Sequence, residues 1–143
     1  MRKQNIFVTV DAVVFQKNKN KHLILLIQRK NSPFQNQWAL PGGFVEDEEN
    51  LNTAVVRELF EETGIVYSNF KQLKTFGKLG REPRGRTISV AFVGFSEANA
   101  IPKGADDAKD AKWFAIDKLP KLAFDHDEII GFAISHFLLS PPG

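Results

Sequence analysis

A mixed α/β domain with its sheet held between helices is the fold class predicted by this sequence, and three observations predict it. Segments rich in Val, Ile and Phe come in two groups, and each group is followed by a segment of helical period, so the order is strands, helix, strands, helix. The connections are of hairpin length rather than the longer crossovers of a parallel sheet. Neither a dinucleotide-binding GxGxxG nor a P-loop pattern occurs, which counts against a doubly wound nucleotide fold. At 143 residues the chain has the size of a single domain, read here as 1–143, large enough to bury a core without staples.

The elements follow in order. Phe7 to Phe15 and His22 to Gln28 read as strands, and the polar Lys17-Asn18-Lys19-Asn20-Lys21 between them predicts a hairpin. Arg29 to Pro41 is expected to be irregular, because Ser32-Pro33 and Leu40-Pro41 resist helix, and it closes on Gly42-Gly43. Asn50 to Glu62 is the clearest helix. Val55, Val56, Leu59 and Phe60 gather on one side of it, and Gly64 supplies its stop. Phe70 to Phe76, Thr87 to Phe95 and Ala111 to Ile116 read as further strands. The Gly77 to Arg86 connection is full of turn residues and positive charge. Asp125 followed by Glu128 reads as a capping box opening an amphipathic helix that runs to about Leu139.

Composition narrows the function classes. With 43% hydrophobic and 25% charged residues the chain is ordinary soluble-protein material, and its net charge of +2 is too small to argue for nucleic acid by itself. The absence of cysteine excludes disulfides, thiolate catalysis and cysteine-ligated metal centres. The longest uninterrupted apolar run, Leu23 to Ile27, is far short of a membrane helix, and Asp11 interrupts anything resembling a signal peptide. A cytoplasmic protein without membrane contact is the expectation.

Chemistry concentrates in the first helix. Glu58, Glu61 and Glu62 stand at spacings of three and four, at roughly 0°, 300° and 40° on a helical wheel, which predicts an acidic face opposite the apolar one. Such a cluster repels itself, and a hard divalent cation, Mg²⁺ or Mn²⁺, is the natural counter-charge. A solvated acidic face is the plainer alternative.

The surrounding residues favour the metal. Gly43, five residues, Glu49, seven residues and then Arg57-Glu58-Leu59-Phe60-Glu61-Glu62-Thr63-Gly64-Ile65 match the signature of the Nudix hydrolases at every fixed position. Trp38-Ala39-Leu40-Pro41-Gly42-Gly43-Phe44-Val45-Glu46 resembles the family's approach to that box. The resemblance to this MutT-like family implies an α/β/α sandwich with a mixed sheet. It implies that Glu58, Glu61, Glu62 and the Gly43 carbonyl bind metal, that Arg57 orients neighbouring carboxylates, and that Glu49 has a secondary role. The implied reaction is attack of water on a nucleoside diphosphate linked to another moiety. Glu62 could accept the proton of that water, as could a loop carboxylate among Glu97, Asp106, Asp107 and Asp110.

Arg29, at a strand end, could grip a phosphate, and Phe34 could stack on a base. Trp38 is better read as a packing residue. Arg81, Arg84 and Arg86 put three guanidiniums on one Gly/Pro loop, an unusual arrangement for a core. Thr75-Phe76-Gly77 with Arg81 to Val90, and Leu119 to His126, resemble the ADP-ribose pyrophosphatase subgroup, which implies cleavage of ADP-ribose to AMP and ribose 5-phosphate. His126 is expected mainly to serve the helix start, and His22 and His136 carry no signal. Two alternatives stand beside this reading: a house-cleaning hydrolase of nucleoside triphosphates, and a non-catalytic sensor of ADP-ribose-type ligands. The sensor relatives carry an added DNA-binding module, and none is expected here after the last helix. Ile129, Ile130, Phe132 and Phe137 could face either a homodimer partner or the core.

Overall fold

The computed structural model describes residues 2–97, 100–104 and 108–138. Among these residues, seven strands and two helices follow in the order β1 (Phe7–Asn18), β2 (Lys21–Arg29), β3 (Trp38–Ala39), β4 (Gly42–Phe44), α1 (Leu51–Thr63), β5 (Lys71–Phe76), β6 (Thr87–Ser96), β7 (Ala108–Ala115) and α2 (His126–Phe137). The sheet runs β3-β2-β1-β6-β5, with β7 added to β2 and β4 added to β1. β1 and β6 are parallel, whereas the other pairs are antiparallel. The sheet is therefore mixed, as expected.

β1 is buried on both faces from Val10 to Gln16, and its alternation sorts the core into two layers. Val10, Ala12 and Val14 pack with Ala54, Val55 and Leu59 of α1, together with Leu25, Val90 and Phe92. Val13 and Phe15 face the other way, toward Ile129, Ile130 and Ala133 of α2, with Ile24, Leu26, Ala91 and Val93. One helix covers each face, which makes the α/β/α sandwich. Ile129 and Ile130 are thereby core residues rather than partner-facing ones, Phe132 packs edge-on against Phe76, and Phe137 stays 38% exposed. No helix among the described residues is long and apolar enough to cross a membrane.

Several expectations are corrected. The stretch read as irregular, Arg29 to Pro41, contains β3, and β4 begins at the Gly42-Gly43 pair on which it closes. Prolines at positions 33 and 41 forbid helix but not two- or three-residue extended pairs at a sheet edge. On α1 the buried residues are Ala54, Val55, Leu59, Glu62 and Thr63, while Phe60 is 54% exposed. Val55, Glu62 and Leu59 fall at about 60°, 40° and 100° on the wheel, so Glu62 lies inside the packed stripe and Phe60 outside it. Gly64 ends the helix in the left-handed conformation with its N–H on the Phe60 carbonyl, as its position predicts. The capping box at α2 does not form: Asp125 precedes the helix, but its side chain makes no cap bond.

Candidate active site

The polar floor of the site arises from the strand alternation. Asp11 is an odd-numbered β1 residue, so it points toward α2 from within an apolar run, and Ser89 of β6 lies on the same side. Ser89 Oγ donates to Asp11 Oδ2. His126, first residue of α2, is buried; its Nδ1 accepts the Leu40 N–H at 2.9 Å, and Nε2 faces Asp11 Oδ1 at 3.5 Å. Because a backbone N–H must donate, Nδ1 is the unprotonated nitrogen and Nε2 carries the proton. Burial pushes the His126 pKa down, against the upward pull of the Asp11 and Asp125 carboxylates. The ring is therefore a neutral strut beneath the Leu40 to Gly43 segment.

α1 fastens the same segment from its other side. Glu62 Oε1 accepts the Gly42 N–H at 2.8 Å. At Gly43 a Cβ would lie 2.6 Å from the Glu58 carboxylate, so glycine is what lets the carboxylate approach the backbone here. Arg57 is the hub of the acidic helix. Its Nε and Nη2 grip Glu49 at 2.6 and 2.9 Å, Nη2 also reaches the Phe44 carbonyl at 3.1 Å, and Nη1 donates to Glu58 at 2.8 Å and to Glu61 at 3.2 Å. The bidentate contact holds the Glu49 carboxyl below the usual range, and the same contact raises the Arg57 pKa. Burial raises Glu58, with Arg57 opposing it.

The three glutamates thus have separate duties. Among the described residues no three acidic or histidine side chains form a ready-made cation cluster. The donor set nonetheless fits a hard divalent ion, because the Glu58 and Glu61 carboxylates already converge on one cationic nitrogen, Arg57 Nη1, beside Gly43. Glu58, Glu61, Glu62 and the Gly43 carbonyl are the residues that could hold such an ion.

A cleft opens next to this helix, where β1 changes partner from β4 to β2. Asp11, Gly43, Glu62 and His126 line it, joined by Arg29, Arg84, Glu82 and Phe124. Arg29 donates from Nε to the Pro33 carbonyl at 2.8 Å. Arg84 is half-exposed, and Glu82 accepts both its backbone N–H (2.7 Å) and its Nε (2.6 Å). Glu58 and Glu61 are not among the residues that line this cleft.

The three loop arginines separate in role. Arg81 lines the cleft but is only 5% exposed: Nε and Nη2 clamp both Asp125 oxygens at 2.9 and 2.7 Å, and Nη1 reaches Thr87 at 2.9 Å. This bidentate pair explains the missing cap at α2, since the Asp125 carboxylate is already taken. Arg86 donates to the Gly77 carbonyl at 2.6 Å, stapling its own loop, and lies outside the cleft lining. Phe34 packs edge-on against Phe124 with centroids 4.8 Å apart, also outside the lining, and Trp38 packs on Phe114 in the same way. Of the loop carboxylates, Glu97 and Asp110 do not line the cleft, while Asp106 and Asp107 lie outside the described residues. Sequence reasoning missed Asp11, Ser89, Glu82 and Phe124 and gave His126 too small a part. The available signal was one charged residue, Asp11, within the apolar run of β1.

Comparisons with known proteins agree with this architecture. Residues 6–131 match the NUDIX domain family. The chain is 46% identical over 123 residues to an ADP-ribose pyrophosphatase of Methanocaldococcus jannaschii, covering 86% of this chain and 70% of that protein. It is 35% identical to the ADPR responsive transcriptional repressor NtrR of Acinetobacter baylyi, covering 86% of this chain but only 51% of the repressor. The NUDIX domain of Shewanella oneidensis NrtR, crystallised with ADP ribose, superposes with a TM-score of 0.87 at 33% identity, covering 94% of this chain and 90% of that one. With the box residues on one helix, the sheet between two helices and a family match over most of its length, this chain belongs to the Nudix domain family.

Proposed function

We propose that this Nudix pyrophosphohydrolase cleaves ADP-ribose to AMP and ribose 5-phosphate with a divalent cation, Mg²⁺ or Mn²⁺. The observation that carries the reading is that one cleft receives Glu62 and Gly43 from the box together with Arg29 and Arg84 from β2 and the Gly77 to Arg86 loop. A dianionic diphosphate suits guanidinium donors, which bind such groups through paired N–H contacts. When bound, the cation would neutralise phosphoryl oxygens and activate water. Hydrolysis forms one new O–P bond, breaks the bridging P–O bond and releases a proton that a carboxylate must take. Glu62 suits that task in this reading because it lines the cleft, which Glu97 and Asp110 do not. The resemblance to a curated ADP-ribose pyrophosphatase supports the choice of substrate.

A second reading, a sensor that binds an ADP-ribose-type ligand without cleaving it, draws on one observation. Arg57 Nη1 already supplies a positive charge to Glu58 and Glu61, so their mutual repulsion is offset without a cation. The test is hydrolysis of ADP-ribose, other ADP-sugars, dinucleoside polyphosphates and oxidised or ordinary nucleoside triphosphates, with Mg²⁺, with Mn²⁺ and with EDTA. Cation-dependent turnover concentrated on ADP-ribose supports the proposal. Preference for triphosphates overturns the substrate, and ADP-ribose that raises the melting temperature without being cleaved establishes the sensor.

A further inference from the structure

Phe124 packs against the Ile27, Ala39 and Ala123 cluster, and its ring also reaches the cleft. It lines the cleft immediately before α2, and its backbone sits at φ 54, a region a bulky side chain seldom enters unless its surroundings impose it. The ring has the Arg29 guanidinium carbon 4.9 Å from its centroid and that of Arg84 at 5.9 Å, while Phe34 abuts its edge. The two arginines come from distant parts of the chain, one ending β2 and the other on the Gly77 to Arg86 loop. Each is tied at Nε to an acceptor of the protein, Pro33 O or Glu82 Oε1. Two like charges drawn to one ring repel each other, and the negative face of the ring offsets part of that repulsion.

We propose that Phe124 is the positioning residue for the anionic part of the substrate: its ring orients Arg29 and Arg84 so that both present to the same cleft. With Nε anchored and the guanidinium laid toward the ring, the position of each cation is restricted before a ligand arrives, which lowers the ordering cost of binding. The inference rests on the cleft being the nucleotide site proposed above. The left-handed backbone at 124 and the paired arginines are then one device, since both guanidiniums gather at the ring this backbone carries.

The test replaces Phe124 with pentafluorophenylalanine, which keeps the ring's shape but reverses the charge of its face, and separately makes Phe124→Leu and Phe124→Tyr. ADP-ribose binding is read by calorimetry in EDTA, so that turnover does not enter, and melting temperatures are recorded alongside. The expected result is about tenfold weaker binding for the fluorinated ring and for Phe124→Leu, with Phe124→Tyr near wild type. The loss should shrink when Phe124→Leu is combined with Arg84→Gln, because the ring acts through the guanidinium. Unchanged affinity for the fluorinated ring, or fully additive losses in the double variant, overturns the proposal. The fluorinated protein keeps the test decisive even if Phe124→Leu fails to fold. Wild-type protein that neither binds ADP-ribose in EDTA nor cleaves it with Mg²⁺ or Mn²⁺ would instead overturn the underlying nucleotide reading, a separate and distinguishable failure.

Discussion

Replacing Asp125 with serine separates two roles that the sequence alone confuses. Serine caps a helix about as well as aspartate, so a capping role makes Asp125→Ser nearly neutral. In the structure the Asp125 carboxylate instead takes both forks of Arg81, whose side chain is 5% exposed against 15% for Asp125. Removing the carboxylate leaves a buried guanidinium with only the Thr87 hydroxyl among its described partners. Breaking a buried pair in this way costs about 3–5 kcal/mol, and the partial exposure of Asp125 favours the lower end, about 3 kcal/mol. At this chain length that corresponds to about 9 °C in Tm. Arg81→Met should cost less, because the abandoned Asp125 is the more exposed member and is free to turn onto the helix N-terminus. The double variant should recover part of the Asp125→Ser loss. Urea unfolding at pH 7 followed by circular dichroism measures all three. A loss of less than about 0.5 kcal/mol for Asp125→Ser would refute the ion-pair reasoning and return Asp125 to the role of a cap.

Other consequences can be checked in the same preparations. Glu62→Gln keeps an oxygen for the Gly42 N–H, so the fold should survive while ADP-ribose turnover falls by about 100-fold or more; near-native rates would remove Glu62 from the chemistry. Arg84→Ala should raise KM by about tenfold more than Arg86→Ala does, because Arg86 is committed to the Gly77 carbonyl; equal effects would place both on the substrate. His126 is held neutral by burial, so its folded-state pKa lies below the unfolded value of about 6.5. The stability it confers is complete above that value and is lost as pH falls below it, with a slope of at most about 1.4 kcal/mol per unit. His126→Asn should flatten the acid limb of a stability–pH curve, and an unchanged limb would assign the acid sensitivity to other groups.

How far the sequence carries depends on which physical signal each element leaves. The long strands and α1 with its Gly64 stop are local patterns, and they lie where periodicity puts them. β3 and β4 are too short to show a period and exist only because β2 and β1 offer them an edge. Glu62 illustrates a different limit. It satisfies the helical period of a buried residue while carrying a charge, and the Gly42 N–H is a tertiary partner that helps that burial to be tolerated. Arg81 and Asp125 are both polar loop or cap residues by local rules, and their pairing across 44 positions is a tertiary fact without a local trace. Asp11, Ser89 and His126 likewise meet only after β1, β6 and α2 have assembled.

The parallel pairing of β1 with β6 carries a consequence for biosynthesis. Phe7 to Gln16 find their partners in Thr87 to Ser96, so β1 leaves the ribosome well before its main neighbour and lacks it until Thr87 to Ser96 have been synthesised. During that interval it can pair with β2 and β4, but its other edge is open and its valine- and phenylalanine-rich faces lack half their cover. The helix that carries the glutamates is synthesised within this waiting period. A nascent chain stopped before Thr87 should therefore hold the whole Nudix signature and still resist neither proteolysis nor aggregation, with cooperative protection arriving only once β6 has emerged.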